Sequence, residues 1–220
     1  MTTHESAPTE SVLIIDYGLG NLLSLRRALE HIGAQPDVSS NPADIVTAGR
    51  IILPGVGSFS EASKSLHDGG FAKQIVAAAA RGVPILGICL GMQMLFDEGH
   101  ENGVSPGLGL MAGTVQRILG KDESSLPRTH IGWRHLDSGV GQTSANDEFE
   151  VPGGRFYFVH SYGARPSEPS LTRATVLYGE REIPAIVQRE NILGVQFHPE
   201  KSGEAGLEFL TRFGSFAGSM

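Results

Sequence analysis

One cysteine stands in the 220-residue chain, and the residues around it are those a nucleophile needs. Cys89 lies in Gly87-Ile88-Cys89-Leu90-Gly91, between an apolar run at 83–88 and a helical pattern that starts at Leu90. This is the G-x-nucleophile-x-G spacing of a sharp strand-to-helix turn, with cysteine where many hydrolases carry serine. The glycines let the backbone adopt a strained turn and keep neighbouring side chains away from the thiol. Placement at a helix start also favours thiolate over thiol, through free N–H groups and aligned peptide dipoles. A buried structural cysteine is the competing reading for Cys89 taken alone.

A thiol nucleophile needs a base and an oxyanion site. Of eight histidines, His198 is distinguished by ending the run ILGVQF and by Glu200 two positions later across Pro199. In extended geometry those two side chains project to the same side. A carboxylate beside an imidazole fixes its tautomer and stabilises the imidazolium, leaving the other ring nitrogen for the thiol proton. For the oxyanion, Leu53-Pro54-Gly55-Val56-Gly57 ends another strand-like run. Its glycines allow peptide N–H groups to turn toward a neighbouring site, and the N–H of Leu90, after the nucleophile, supplies a second donor.

These residues require elements to hold them. From 11 to about 100, short apolar runs alternate with helical patterns: SVLIID, then NLLSLRRALEHIG with Leu22, Leu25, Leu29 and Ile32 on one stripe and Gly33 as terminator. RIILPG follows as strand, SFSEASKSLHDGGFAKQIVAAAARG as mostly helix, VPILGIC as strand and LGMQMLFDEG as a short helix. Such alternation predicts parallel βαβ units with the site beyond the carboxyl ends of the strands. After about 105 the pattern becomes strand upon strand: GTVQRIL, HIGWRHL, RFYFVHSY, ATVLYG, AIVQR and ILGVQFH. Residues 185–197 read as a hairpin turning at Glu190 and Asn191, and GEAGLEFLTRFGSF as a closing helix. The expectation is one α/β domain over 11–217 behind a flexible leader at 1–10.

Composition excludes several classes. Seventeen Lys+Arg against 24 Asp+Glu give a net charge of −7, which argues against a broad nucleic-acid or anionic-lipid surface. Hydrophobic residues at 40% with charged residues at 19% exclude a disordered composition. A single cysteine cannot form an intramolecular disulfide and fits a reducing compartment, so a cytoplasmic location is expected. Asp16-Tyr17-Gly18-Leu19-Gly20-Asn21 has Leu23 where a dinucleotide fingerprint wants glycine, and no phosphate-binding G-x-x-x-x-G-K-S/T run occurs. His130 and His135 lack companion ligands, and Phe156, Tyr157 and Phe158 read as core rather than as a stacking platform. No metal or cofactor is expected.

The run Pro84–Gln93, PILGICLGMQ, together with QFHPE at 196–200 resembles the triad, or class I, glutamine amidotransferases. Within that superfamily, IDYGLGNLLSLRRAL, LPGVGSF, HIGWR, FYFVHSY and QFHPEKSG are similar to the glutaminase subunits of imidazole glycerol phosphate synthase, in order, from 12 to about 213. The resemblance implies an α/β fold with a mostly parallel central sheet flanked by helices and an antiparallel-rich second half. It implies Cys89 as thioester-forming nucleophile, His198 as general base and acid, and Glu200 as its orienting partner. Gly55, Val56 and Gly57 match the oxyanion strand, Gln93 a glutamine-contacting position, and His160, Ser161 and Tyr162 the loop that holds the substrate's amino-acid head. The implied partner is a (β/α)₈-barrel cyclase subunit, with Tyr17, Asn21, Trp133 and Lys201 at the seal. One departure stands out: the family pattern Pro-His-x-Gly-Trp-Asn reads Arg128-Thr129-His130-Ile131-Gly132-Trp133-Arg134, so Arg134 replaces Asn.

Overall fold

The computed structural model describes residues 11–119, 126–137 and 149–217, and the expected leader at 1–10 lies outside them. The first half runs β1 (Ser11–Ile15), α1 (Leu22–His31), β2 (Gln35–Ser39), β3 (Ile51–Leu53), α2 (Phe59–Asp68), α3 (Phe71–Ala80), β4 (Ile85–Ile88) and α4 (Leu90–Met94). The second continues with β5 (Phe96–Gly99), β6 (Ser105–Pro106), β7 (Met111–Arg117), β8 (His130–His135), β9 (Arg155–His160) and β10 (Tyr162–Pro166). It closes with β11 (Thr172–Tyr178), β12 (Arg181–Arg189), β13 (Ile192–Val195) and α5 (Gly203–Ser215).

The main sheet has seven strands in the order β11-β12-β13-β4-β3-β1-β2. β2, β1, β3, β4 and β13 run parallel, while β12 and β11 add antiparallel at one edge. The central strands are apolar and buried on both faces, as parallel sheets covered by helices require. One cluster on them contains Ile14, Ile52, Leu86 and Phe197, and the other contains Leu13, Ile15, Phe59 and Phe96. Smaller sheets of four strands (β10-β7-β5-β6) and two strands (β8-β9) complete the antiparallel-rich half.

Most expected elements are present, including the α1 stripe and the hairpin at Glu190, whose φ of 52 makes the turn. Three differ. The helix expected over 58–82 is broken at Gly69 and Gly70, because Gly70 is left-handed with φ 77. The helix expected over 90–99 ends at Met94, and Phe96–Gly99 pairs with β7 and β6 instead, so sheet formation with the strands that follow overrides the local helical pattern. β2 was not expected at all; it is a mostly exposed edge strand carrying Pro36, so no apolar alternation announces it.

Two parallel strands end side by side at the chemistry. β4 pairs with β13 in the register Leu86↔Leu193 and Ile88↔Val195, and β3 pairs with β4 through Leu53↔Gly87. Cys89, the 53–57 segment and His198 therefore leave the same edge of the sheet. The approach of α4 to β3 depends on Gly91, where an added Cβ would overlap the Leu53 carbonyl oxygen, a backbone atom that cannot step aside. Gly91→Ala should cost about 1–3 kcal/mol by overpacking, a fall of about 3–10 °C in thermal midpoint for a chain of this size. A melt unchanged from the parent would contradict that close approach.

Candidate active site

The elbow at Cys89 is strained in the way its spacing suggests. Cys89 has φ 55 and ψ −107 and is 7% exposed. Non-glycine residues rarely occupy that region, and they do so where the surroundings over-determine it. Its N–H donates to the Val195 carbonyl (2.7 Å), and its own carbonyl accepts from the Gln93 N–H (3.1 Å). One bond ties Cys89 to β13 and the other starts α4. Gly87 is needed beneath it, because a Cβ there would crowd the Gly91 and Met92 backbone.

His198 follows directly from β13. Its N–H donates to the Tyr157 carbonyl (2.9 Å), and the Ser202 hydroxyl donates to the His198 carbonyl (2.6 Å). His198 Nδ1–H donates to Glu200 Oε1 at 2.8 Å, with both side chains nearly sealed from solvent. The spacing argument put both groups on an extended strand; instead Pro199–Lys201 forms a single 3₁₀ turn that folds the carboxylate back onto the ring. With Nδ1 engaged, Nε2 is buried with no hydrogen-bond partner among the described residues. Burial pulls the imidazole down, but the neighbouring Cys89 sulfur and the Glu200 carboxylate more than offset it, and His198 is pushed up to about 10. Glu200 and the sulfur both favour the protonated ring over the neutral one.

Cys89 and His198 open into a cavity of ≈ 290 Å³ whose wall also includes Val56, Gly57, Leu90, Gln93, His160, Ser161, Tyr162 and Lys201. That is the low end of small-molecule sites, roughly 300–1,000 Å³. Gly57, Gln93, His160, Ser161 and Tyr162, the residues expected to contact a substrate, thus line one cavity with Cys89. Gln93, buried in α4, donates from Nε2 to the Tyr162 carbonyl (3.0 Å) and to Gln196 Oε1 (3.0 Å), leaving its own Oε1 as an acceptor. His160, Ser161 and Tyr162 reach the cavity because the chain leaves the β8-β9 sheet at His160 and joins β7 at Tyr162. The Tyr162 hydroxyl is engaged elsewhere, by Arg117 at 2.8 Å, so its contribution to the cavity centres on its backbone.

On the oxyanion side, Val56 and Gly57 (φ 108) line the cavity, whereas Gly55 packs against the Tyr17 hydroxyl, Leu90 and Gly91. Behind it, Asn21, Gly55, His198 and Glu200 enclose ≈ 10 Å³, about one water's probe volume. Of the residues expected at a partner seal, Trp133 is 40% exposed and stacks edge-on over Tyr157, Lys201 is exposed, and Asn21 is half-buried. Tyr17 is buried, and burial followed by the charge at Cys89 raises its hydroxyl pKa. Arg134 folds back onto the Trp133 carbonyl (3.0 Å).

Two contributors escaped the sequence reading. Gln196 is fully buried and donates to Cys89 Sγ at 3.7 Å; an amide inside the apolar run ILGVQF was the available signal. His130 is the second, and no local feature of the sequence gives it a partner. Its Nδ1 lies 3.1 Å from His160 Nε2, and its ring stacks between Phe158 and Tyr178. Since His160 Nδ1 must donate to the Tyr162 carbonyl (2.8 Å), His160 Nε2 accepts and His130 Nδ1 donates. A separation of thirty positions hides that pairing from any local pattern.

Residues 13–214 match the family model described as glutamine amidotransferase class-I. The chain belongs to the class I glutamine amidotransferases. This amidotransferase is 43% identical over 212 residues to the imidazole glycerol phosphate synthase subunit HisH of Synechococcus elongatus, covering 94% of each chain. It is 44% identical over 204 residues to the HisH of a Geobacillus species, covering 92% of this chain and 95% of that one. It is 42% identical to subunit HisH 1 of Legionella pneumophila, covering 92% and 98%. Among solved structures, the amidotransferase fold is shared with a glutamine amidotransferase crystal structure (TM-score 0.66, 19% identity, covering 92% and 98%). It is shared too with PurLQS from Thermotoga maritima (TM-score 0.67, 21% identity, covering 93% and 97%).

The histidine pair in this amidotransferase has a pH consequence. Burial, then the Arg134 charge, lowers His130 to about 4. Burial, outweighing the Tyr162 hydrogen bond, lowers His160 to about 3, with the His130 and His198 charges adding to the fall. The unfolded chain protonates both rings below about pH 6.5 while the folded chain does not. Their contribution is therefore intact above pH 6.5 and is lost as pH falls toward 4 and below. Denaturant titrations between pH 7 and 4 should show stability falling more steeply in the parent than in His160→Gln, and equal slopes would contradict the assignment.

Proposed function

We propose that this amidotransferase is the glutaminase subunit of imidazole glycerol phosphate synthase. The observation that carries the reading is the strained Cys89 facing one cavity with a Glu200-oriented His198 and with Gln93. The 42–44% identity to HisH subunits over more than nine-tenths of the chain supports the choice of synthase. In this reading residues 11–217 act as one domain and work in the cytoplasm. No described helix is long and apolar enough to cross a membrane.

The reaction follows from the groups present. Cys89 Sγ attacks the side-chain amide carbon of glutamine, and the carbonyl oxygen becomes an oxyanion facing peptide N–H donors from the Gly55–Val56 segment and Leu90. His198, already protonated on Nε2, gives that proton to the amide nitrogen as the C–N bond breaks, releasing ammonia and leaving a γ-glutamyl thioester. The now neutral ring takes a proton from water as water attacks the thioester carbon. Collapse of the second tetrahedral species breaks the C–S bond, frees glutamate and restores the sulfur–imidazolium pair. Gln93 and the His160-Ser161-Tyr162 backbone hold the substrate's amino-acid end, away from the reacting amide.

Ammonia released into water would protonate and diffuse away, so the mouth must close on its acceptor enzyme. The partner in this reading is a (β/α)₈-barrel cyclase subunit that joins ammonia to a ribonucleotide, giving imidazole glycerol phosphate and aminoimidazole carboxamide ribotide in histidine biosynthesis. Exposed Val56, Ile131 and Trp133 supply apolar area for the seal, and Lys201 supplies a cation at its rim. The peptide around Gly55 and Val56 is the element the partner would bias, so the isolated chain is expected to be nearly silent.

Glutamate release should appear when the barrel subunit and its ribonucleotide are added, and should vanish in Cys89→Ala. Glu200→Gln should retain folding but lose about 10²–10⁴ in kcat, as removal of an orienting carboxylate does in other triads. Equal activity with and without the liganded partner would overturn the coupling. Activity only with a different synthase's acceptor subunit would assign the chain to a sister amidotransferase.

A further inference from the structure

Gln196 is the most deeply buried polar side chain near the nucleophile, and the catalytic steps above make no use of it. Its backbone N–H donates to the Ala185 carbonyl (2.9 Å), which fixes the residue between β12 and the elbow. The side chain bridges two groups of the site: Oε1 accepts from Gln93 Nε2 (3.0 Å), and Nε2 donates to Cys89 Sγ (3.7 Å). Which end of an amide points where is a matter of hydrogen-bond logic. The Tyr162 carbonyl oxygen has no hydrogen to give, so the Gln93 atom facing it must be Nε2, a donor. His160 Nδ1 donates to the same oxygen and reinforces that assignment. Gln93 Nε2 faces Gln196 as well, so the Gln196 atom it meets must be Oε1. The remaining end of Gln196, its NH₂, is thereby turned toward the sulfur.

We propose that Gln196 is a positioning residue of this reaction: its side-chain amide donates a hydrogen bond that favours the ionised sulfur of Cys89, and Gln93 locks that amide in the donating orientation. The inference rests on the glutaminase reading for its biological meaning and not for its chemistry. A donor aimed at an anion is worth more than one aimed at a neutral group, and burial excludes the water that would otherwise compete. Gln93 then serves twice, as part of the cavity wall and, through Nε2, as the lock on the Gln196 amide. Movement of Gln93 on substrate binding would be felt at the nucleophile through a single intervening side chain.

The test is the pH dependence of Cys89 alkylation by iodoacetamide in the full chain, which requires neither glutamine nor a partner. Gln196→Met keeps the length of the side chain and removes its donor. The half-maximal pH of alkylation should move up by about one unit, a roughly tenfold loss in rate at pH values below the parent's half-maximal point, while the thermal midpoint reports folding separately. A folded Gln196→Met chain with the parent's alkylation profile would overturn the proposal. Should that variant not fold, side-chain amide NMR on the unmutated chain decides. The Gln196 NH₂ signals should shift as Cys89 ionises and stay fixed in Cys89→Ala, and signals indifferent to that ionisation in the parent would equally overturn it. A parent complex that alkylates normally but releases no glutamate would count against the glutaminase reading alone.

Discussion

The hydrogen bond from the Cys89 N–H to the Val195 carbonyl is the constraint on which the site depends. It is the last rung of the β4-β13 ladder, and it holds a non-glycine residue at φ 55, where an isolated peptide would not remain. Because the rung is parallel, both strands release their chains at the same edge of the sheet. One delivers Cys89 directly, and the other delivers Gln196 directly and His198 two residues after it. β3 ends beside them and delivers Pro54–Gly57. Sheet register alone therefore brings together residues separated by more than a hundred positions, and the strain at Cys89 is offset by the surrounding ladder and core.

Electrostatics then separates three buried histidines into different roles. His198 has a carboxylate at Nδ1 and a sulfur near Nε2, so it keeps its proton. His160 and His130 have only a backbone carbonyl and each other, so burial wins and both stay neutral. A neutral His160 adds no second positive charge beside His198, which would otherwise weaken the proton affinity of the working ring. In the proposed reaction the same side-chain type serves as an acid in one place and as a rigid, uncharged brace in the other.

The sequence was most legible where chemistry imposes fixed spacing. Glycines two positions either side of Cys89 mark a turn that side chains would block, and Glu200 two after His198 marks a carboxylate able to fix the ring's tautomer. The parallel strands were legible because burial on both faces leaves continuous apolar runs. What escaped depends on partners elsewhere in the chain: β5 forms because β7 and β6 are available, β2 is an edge strand without a pattern, and His130 meets His160 only through the β8-β9 pairing. Gln196 lies between these cases, since an amide in an apolar run signals a buried partner without naming it. The short 3₁₀ turn at Pro199–Lys201 likewise changed how Glu200 reaches the ring while leaving the contact itself as expected.

The central claim is that Cys89, activated by His198 and Glu200, attacks the side-chain carbonyl of glutamine in this cavity. The most direct measurement is covalent trapping of the intact chain, with the barrel subunit and its ribonucleotide present, by a diazoketone analogue of glutamine, followed by peptide mass mapping. One adduct on Cys89 that free glutamine suppresses, and that His198→Ala slows severely, is the predicted result. Labelling that glutamine does not compete, or an adduct placed on any other residue, would contradict the account.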